Sequence, residues 1–416
     1  MWHFPAGIVT DIPTQPSSSL AHQRSFALFW ASRALSAIAF NILAVAVGWQ
    51  LYALTGSAFD LGLVGLAQFL PMVALTFVAG HVADRYDRRM IVSVCQAVMM
   101  AAAAALALGT VGGWLGKVSI LAIMTLIGAA KTFDSPTFAA LLPGLVPRAL
   151  LPRATASSAS ANQTAQIVGP ALGGILYGFG PTVAYATGAV LFFLAAAFAA
   201  LIRVEREVRA REPVTLASVF SGLGFIRDQR VLLGVLSLDL FAVLLGGATA
   251  LLPIFARDIL MTGPWGLGFL RAAPAVGALA MSIVITRHGL RYPVGPLLFG
   301  AVIVFGLATL TFGLSTNLIL SFAALIVLGG SDVVSVVIRS SLVQLRTPDG
   351  MRGRVSAVNA MFIGTSNQLG QFQSGSVAAL LGAVPAVVIG SVGTIVVTLA
   401  WIALFPELRR ARTLEE

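Results

Sequence analysis

"GAAKTFDSPTFAALLPGLVPRALLPRATA" (residues 128–156) and "GGSDVVSVVIRSSLVQLRTPDGMRGRVSA" (residues 329–357) are one segment written twice, 201 residues apart. Gly128 aligns with Gly329, Pro147 with Pro348, Arg153 with Arg354 and Ala156 with Ala357. Nearer the start of each half the offset drifts to about 206, pairing Leu61-Gly62 with Leu267-Gly268. The chain is a tandem duplication, so the fold of one half is the fold of the other.

Composition says what the duplicated unit is. With 416 residues, 58% of them hydrophobic and 10% charged, there is too little polar surface to cover a water-soluble globule of this size. Residues 90–116, 154–202, 292–331 and 355–406 contain no Asp, Glu, Lys or Arg. A bilayer core needs about 20 apolar residues per helix, so each of the last three stretches holds two spans. Turn residues divide them: Gly178, Gly180 and Pro181, then Gly313 to Asn317, then Gly382 with Pro385. The pattern predicts an all-α polytopic membrane protein with twelve transmembrane helices in two six-helix pseudo-symmetric halves. The spans fall near 26–54, 59–82, 90–112, 118–145, 154–179, 182–202, 230–256, 264–286, 293–313, 318–345, 355–381 and 385–405. A porin-like barrel is not expected, because its strands alternate apolar and polar residues and these runs do not.

The domain organisation follows. Residues 1–25 read as a disordered Pro/Ser-rich tail, 26–202 as the N-terminal half, 203–229 as a charged linker, 230–406 as the C-terminal half and 407–416 as a second tail. An even number of spans makes the repeats parallel, with a pseudo-twofold axis along the membrane normal and a site near the midplane between the halves. Of the 26 Lys and Arg, 20 fall in segments on the side of the termini, and only Lys117 and Arg257 lie in the opposite loops. Basic residues stay inside, so both termini are expected in the cytoplasm. The formal net charge of +10 then reflects topology and anionic lipid, with no nucleic-acid partner. The single Cys95 permits no intrachain disulfide.

Three stretches carry a family resemblance. "GHVADRYDRR" (80–89) is similar to the loop between spans two and three of major facilitator superfamily transporters, G-x-x-x-D-R-x-x-R-R. "GPALGG" (169–174) is similar to that superfamily's span-five signature G-P-x-x-G-G, associated with exporting antiporters. "LYALTGSAFDLGLVGLAQFLP" (51–71), with the paired loops "PRALLPRA" and "PDGMRGRV", looks most like the enterobactin-exporter and drug-efflux branch. The resemblance implies the major facilitator fold, alternating access, and a place in the inner (cytoplasmic) membrane. The chain departs from the pattern in three places. Asp87 stands where Gly is usual; the C-terminal loop "TRHGLRY" keeps Arg287 and Arg291 but has no Asp; and span four carries Lys131 and Asp134 in place of R-x-x-Q-G.

The motif assigns Gly80, Asp84, Arg85, Arg88 and Arg89, with Arg153 and Arg354, to a gate and conformational latch. In this reading Asp84 accepts hydrogen bonds from a helix N-terminus such as the start of span eleven near Arg354. The competing reading makes the arginines positive-inside anchors. Gly169, Pro170, Gly173 and Gly174 read as a helix-packing seal, small residues one turn apart with a Pro that bends span five.

Charges inside the spans carry the functional expectation. Each costs about 2.5–3.5 kcal/mol on insertion scales if unpaired at the membrane centre, so each must face a cavity or a partner. Arg33, Lys131, Asp134, Asp239, Asp332 and Arg339 fall on spans one, four, seven and ten, which line the cavity in the resembled family, and their formal sum is zero. The repeat sets Lys131 opposite Asp332, and the shifted offset sets Arg33 opposite Asp239, which suggests complementary charge between the halves. These six and Asn41 form the expected substrate and proton pathway. Asp134, Asp239 or Asp332 takes up the proton, while Lys131, Arg33 and Arg339 hold carboxylate, phenolate or phosphate groups of a substrate. The competing reading is a set of permanent ion pairs. Arg271, on span eight, is expected to snorkel outward.

Other chemistry is missing from the sequence. No Gly-rich loop ends in Gly-Lys-Ser/Thr, so no nucleotide is expected; the four His have no metal-ligand spacing, and no metal site or catalytic set of nucleophile and base is expected. The reading is therefore a non-enzymatic secondary exporter of a small organic compound, siderophore-like or drug-like, with the proton gradient as energy source and no cofactor. Two halves in one chain complete the site, so a monomer suffices. Lipid or lysolipid transport, facilitated import without protons, and a non-transporting scaffold or sensor are the alternatives.

Overall fold

A computed structural model describes residues 23–203, 216–289 and 293–413, apart from the side chains of Phe77, Asp84 and residues 216–219. Most of the expected N-terminal tail, the linker over 204–215 and the last three residues lie outside the described residues.

The apolar runs are helices throughout. Spans one to six are Arg24–Thr55, Ala58–Arg85, Arg88–Val111, Lys117–Leu141, Leu151–Gly178 and Pro181–Leu201. Span seven starts at Arg230, and spans eight to twelve are Pro264–His288, Val294–Leu314, Leu318–Arg346, Asp349–Leu381 and Ala383–Leu404. Their ends follow from local chemistry. Ser57 accepts the backbone N–H of Asp60 and Asn317 accepts those of Ile319 and Leu320, capping spans two and ten. Gly56 closes span one at φ 59°, a left-handed conformation open to glycine at no steric cost.

Among the described residues ten helices are long and apolar enough to cross a membrane. Spans five and eleven, at 28 and 33 residues, are as long but do not meet the same hydropathy standard. Their sequences explain why: "SSASANQTAQ" and "NQLGQFQS" place Ser, Asn and Gln where the other helices carry Leu and Val.

Two elements differ from the sequence expectation. Span seven is not continuous over 230–256: its α-helix ends at Leu245, Gly246 and Gly247 interrupt it, and short helical turns carry the chain on to Ile259. A Cβ on Gly247 would lie 2.6 Å from the carbonyl oxygen of Gly370, so the glycine pair lets span eleven pass directly over the break. Span eleven begins at Asp349 rather than 355, because Pro348 ends the preceding turn and starts the helix. The described part of the linker adds a helix, Leu216–Asp228, which packs on span eleven.

The packing repeats as the sequence does. In the first half span one packs on five and six, two on four, and three on four and six. Six helices later seven packs on eleven and twelve, eight on ten, and nine on ten and twelve. The main contacts between halves are two against eleven and five against eight, pairs that the same six-helix shift exchanges. The fold is thus an all-α membrane bundle of two pseudo-symmetric halves.

Candidate functional site

The buried core is joined at one end of the bundle and divided at the other. Toward the end remote from the chain termini, a single cluster unites Ile42, Leu51 and Tyr185 of the first half with Leu251, Phe255 and Phe312 of the second. Toward the termini, the cores are separate. Phe29, Phe138 and Leu145 form one within the N-terminal half, and Leu232, Ile338 and Leu408 another within the C-terminal half.

In the N-terminal half Asp134 of span four is 4% exposed. It accepts a hydrogen bond from Gln96 Nε2 of span three at 2.9 Å, and the same nitrogen lies 2.9 Å from Ser36 Oγ of span one. Lys131, one turn before Asp134, places Nζ 4.3 Å from the centroid of the Phe40 ring. The Arg33 guanidinium stands 6.0 Å from the Phe138 ring. Both cations act electrostatically on Asp134, but neither forms an ion pair with it among the described residues. Asn41 turns back to its own helix, donating to the Ala37 carbonyl at 2.9 Å.

In the C-terminal half Arg339 of span ten pairs with Asp239 of span seven, and both are buried. Asp332, two turns before Arg339, has no ion-pair partner among the described residues. Asp239 and Asp332 line one small crevice among spans seven, nine and ten, together with Phe305, Ser331 and Ser335.

The charges therefore group within each half rather than across the axis. A pseudo-twofold puts equivalent positions on opposite sides of the axis, so Arg33 and Asp239 are counterparts in the repeat without being partners in space. Arg271 also departs from expectation. It does not snorkel: its guanidinium donates to the Ala44 carbonyl of span one at 3.2 Å, reaching into the opposite half.

The glycines of "GPALGG" divide their work. Gly169 and Gly173 face Asn41, Ile38 and Ile42 of span one, inside their own half. Gly174 and Pro170 meet span eight of the other half: a Cβ on Gly174 would lie 3.0 Å from the Gly268 Cα, and one on Gly268 would lie 2.5 Å from the Pro170 carbonyl. Gln163 donates to the Ala275 carbonyl across the same interface at 2.9 Å. The second interface is as close, with a Gly62 Cβ 3.1 Å from the Gly375 Cα.

The loop of residues 80–89 keeps its described contacts in the N-terminal half. Arg88 donates to Ala140 at 3.0 Å, Arg89 to Ile202 at 3.0 Å and to Asp87, while Arg85 is exposed and a Cβ on Gly80 would meet open space. The Asp84 side chain lies outside the described residues. Arg153 is exposed, and Arg354 reaches Ser221 of the linker helix at 3.4 Å. Asp87 has a local role. It is the N-cap of span three, accepting the Arg89 backbone N–H at 2.9 Å, and the Arg89 guanidinium beside it holds its carboxyl below the usual carboxylate range.

Sequence reasoning missed two parts of this arrangement. Gln96 was legible only as an amide in an uncharged span, the kind of buried polar group that needs a partner. At the joined end Tyr52 of span one donates to the Asp258 carboxylate, and Arg257 lies 5.6 Å from the Tyr52 ring. This contact between halves had no signal beyond a Tyr and a charged pair near predicted helix ends.

Two pseudo-symmetric helical halves, with buried charge near the middle and one end closed by inter-half glycine contacts, define a major facilitator superfamily transporter. The chain belongs to the MFS_3 family, transmembrane secretion effector, whose profile matches residues 15–414. It is 26% identical over 416 aligned residues to the enterobactin exporter EntS of Citrobacter koseri, covering 95% of each chain. It is 24% identical over 269 residues to macrolide efflux protein A of Streptococcus pyogenes, covering 64% of this chain and 66% of that one. Among solved structures it resembles a bacterial homologue of the human lysosomal transporter Spinster in an inward-facing, unoccupied conformation. That match has TM-score 0.74 and 13% identity, over 96% of this chain and 98% of the other. The nucleoside transporter NupG gives TM-score 0.69 and 14% identity over 92% and 99%.

Proposed function

We propose that the protein exports a small organic compound across the cytoplasmic membrane by alternating access, exchanging it for protons, with both termini in the cytoplasm and one chain as the working unit. The observation that carries this reading is the joined core at one end and the divided cores at the other. A bundle built this way is closed on the side remote from the termini and separable on the termini side. With the termini cytoplasmic, that is the state from which an exporter loads. Named exporters among the relatives support the direction.

The proton step is assigned to the C-terminal half. Asp239 neutralises Arg339, and Asp332 shares their crevice without an ion pair of its own. A carboxylate without an ion pair can gain and lose a proton without breaking a salt bridge. Gly174, Pro170 and Gly268 seal the outer side, and the loop of residues 80–89 latches the inner side when it closes.

The reading is tested by comparing intracellular and extracellular metabolites in a deletion strain, and in the same strain carrying the wild-type gene or its Asp332→Asn variant. One compound retained inside without the gene, and released by the wild type but not by the variant, is the expected result. A compound missing from inside the deletion strain turns the direction to import.

A lipid substrate has one observation in its favour. An apolar groove of about 650 Å³ opens between spans eight, nine and ten, lined by residues such as Met281, Leu297, Val304 and Ile326. Retention of a lysolipid rather than a soluble metabolite in the same experiment would select that reading.

A further inference from the structure

We propose that Lys131 and Arg271, one from each half, form a seat for the negatively charged group of an organic anion, and that this anion is the substrate class. The proposal rests on the transporter reading above.

The two cations meet one face of one helix. Lys131 lies over Phe40 and Arg271 bonds to Ala44, and residues four apart on span one are stacked about 6 Å along its axis. Arg33, Ala37, Phe40, Ala44 and Gly48 form a partly accessible stripe down the same side of span one, where Ala44 meets Arg271 and Gly48 meets Pro253 of the other half. The other sides of that helix pack on spans five and six. The stripe therefore faces the space between the halves.

Neither cation has an ion pair among the described residues, although Asp134, one turn from Lys131, acts on Lys131 at longer range. Asp239 is paired with Arg339, and Asp134 accepts from the neutral Gln96 amide while its charge acts on both Lys131 and Arg33. Away from the helix ends the spans carry four basic residues, Arg33, Lys131, Arg271 and Arg339, and three acidic ones, Asp134, Asp239 and Asp332, an excess of one positive charge. Such a charge is costly to insert without a counter-ion, and one carbonyl contact leaves most of the five guanidinium N–H groups of Arg271 unused. That planar fork matches a carboxylate or phenolate-carboxylate edge, and Lys131 adds a point charge beside an aromatic face. An apolar aromatic body on the anion would find Phe40 at the same place.

Placement also ties binding to the cycle. Arg271 belongs to the half that must swing relative to span one, so an anion held by both cations is gripped differently before and after the swing. Differential affinity of that kind is what allows a ligand to shift a conformational equilibrium.

The test uses the full-length protein in lipid nanodiscs with two probes of one shape, 1-naphthoate and the neutral 1-naphthamide. Naphthoate should bind at least about tenfold more tightly, and Arg271→Gln and Lys131→Gln should each remove about that factor while leaving naphthamide binding unchanged. Arg271→Lys should retain part of the preference, which separates lost charge from misfolding. Equal affinity for the two probes, binding of neither, or a naphthoate preference that survives both Gln variants would overturn the proposal. If naphthoate binds with this residue dependence but no compound is moved in membrane vesicles, the anion seat stands and the transport reading fails.

Discussion

At the scale of single residues, what matters is which charges own a partner. Arg339 and Asp239 are both almost fully buried and paired, so removing one strands the other. Breaking such a pair typically costs about 3–5 kcal/mol, whereas removing both partners costs far less. Asp239→Asn or Arg339→Gln should therefore lower the melting temperature in detergent, and the double variant should recover most of the loss. Independent, additive losses would show that the pair is not a unit. Asp332 has no ion-pair partner and predicts the reverse: Asp332→Asn should leave the melting temperature within a degree or two, yet abolish the response of transport to a pH gradient. Asp87 gives a surface counterpart. Asp87→Ala should cost about 0.5–1 kcal/mol, the lower part of the range for helix caps because the side chain is half exposed. The Arg89 contact lowers the Asp87 pKa in the folded state, so this contribution is complete above the ordinary carboxylate pKa of about 4 and fades as pH falls through the lowered value. The stability difference between wild type and Asp87→Ala should accordingly shrink in acid; a difference that grows in acid would refute this sign.

At the scale of helices, glycines set how closely spans approach. Gly174 and Gly268 bring spans five and eight into backbone contact, and any side chain on either must push the helices apart. Gly268→Val should therefore weaken closure at the joined end and raise the accessibility of cysteines placed there, while Gly169→Val, which faces span one within its own half, should act mainly on stability. Equal effects of the two on accessibility would remove the distinction. Most of this level was legible in the sequence, because uncharged runs of defined length leave only helices, and Gly-Pro punctuation marks their ends to within a few residues. The break in span seven was less legible. Gly246-Gly247 reads as a weak point from propensity alone, but only the passage of span eleven over Gly247 explains why the helix stops there.

At the scale of the whole molecule, the duplication was visible at once and the pairing of charges was not. The offset of 201 residues gives the symmetry of the bundle, and the recurrence of packing six helices later follows from it. The same symmetry misdirects if it is used to find contacts, because it relates positions across the axis. Asp239 consequently meets Arg339 of its own half rather than Arg33, and Arg271, expected to snorkel outward, reaches the opposite half. Tyr52, Arg257 and Asp258 add a contact between halves at the joined end. Tyr52→Phe removes its only hydroxyl, and should shift the bundle toward opening on that side without unfolding it. An increase in spin-label distance between the outer ends of spans one and seven would register the shift; an unchanged distance distribution would show that the contact does not hold the end closed.

The central claim is that this bundle moves an organic compound outward at the expense of a proton gradient. Its most direct test is uptake into everted membrane vesicles, in which export appears as accumulation, using the compound retained by the deletion strain. Accumulation that starts on energisation, collapses with a protonophore and is absent from Asp332→Asn vesicles is the expected result. Accumulation only in right-side-out vesicles, or accumulation indifferent to the protonophore, would contradict it.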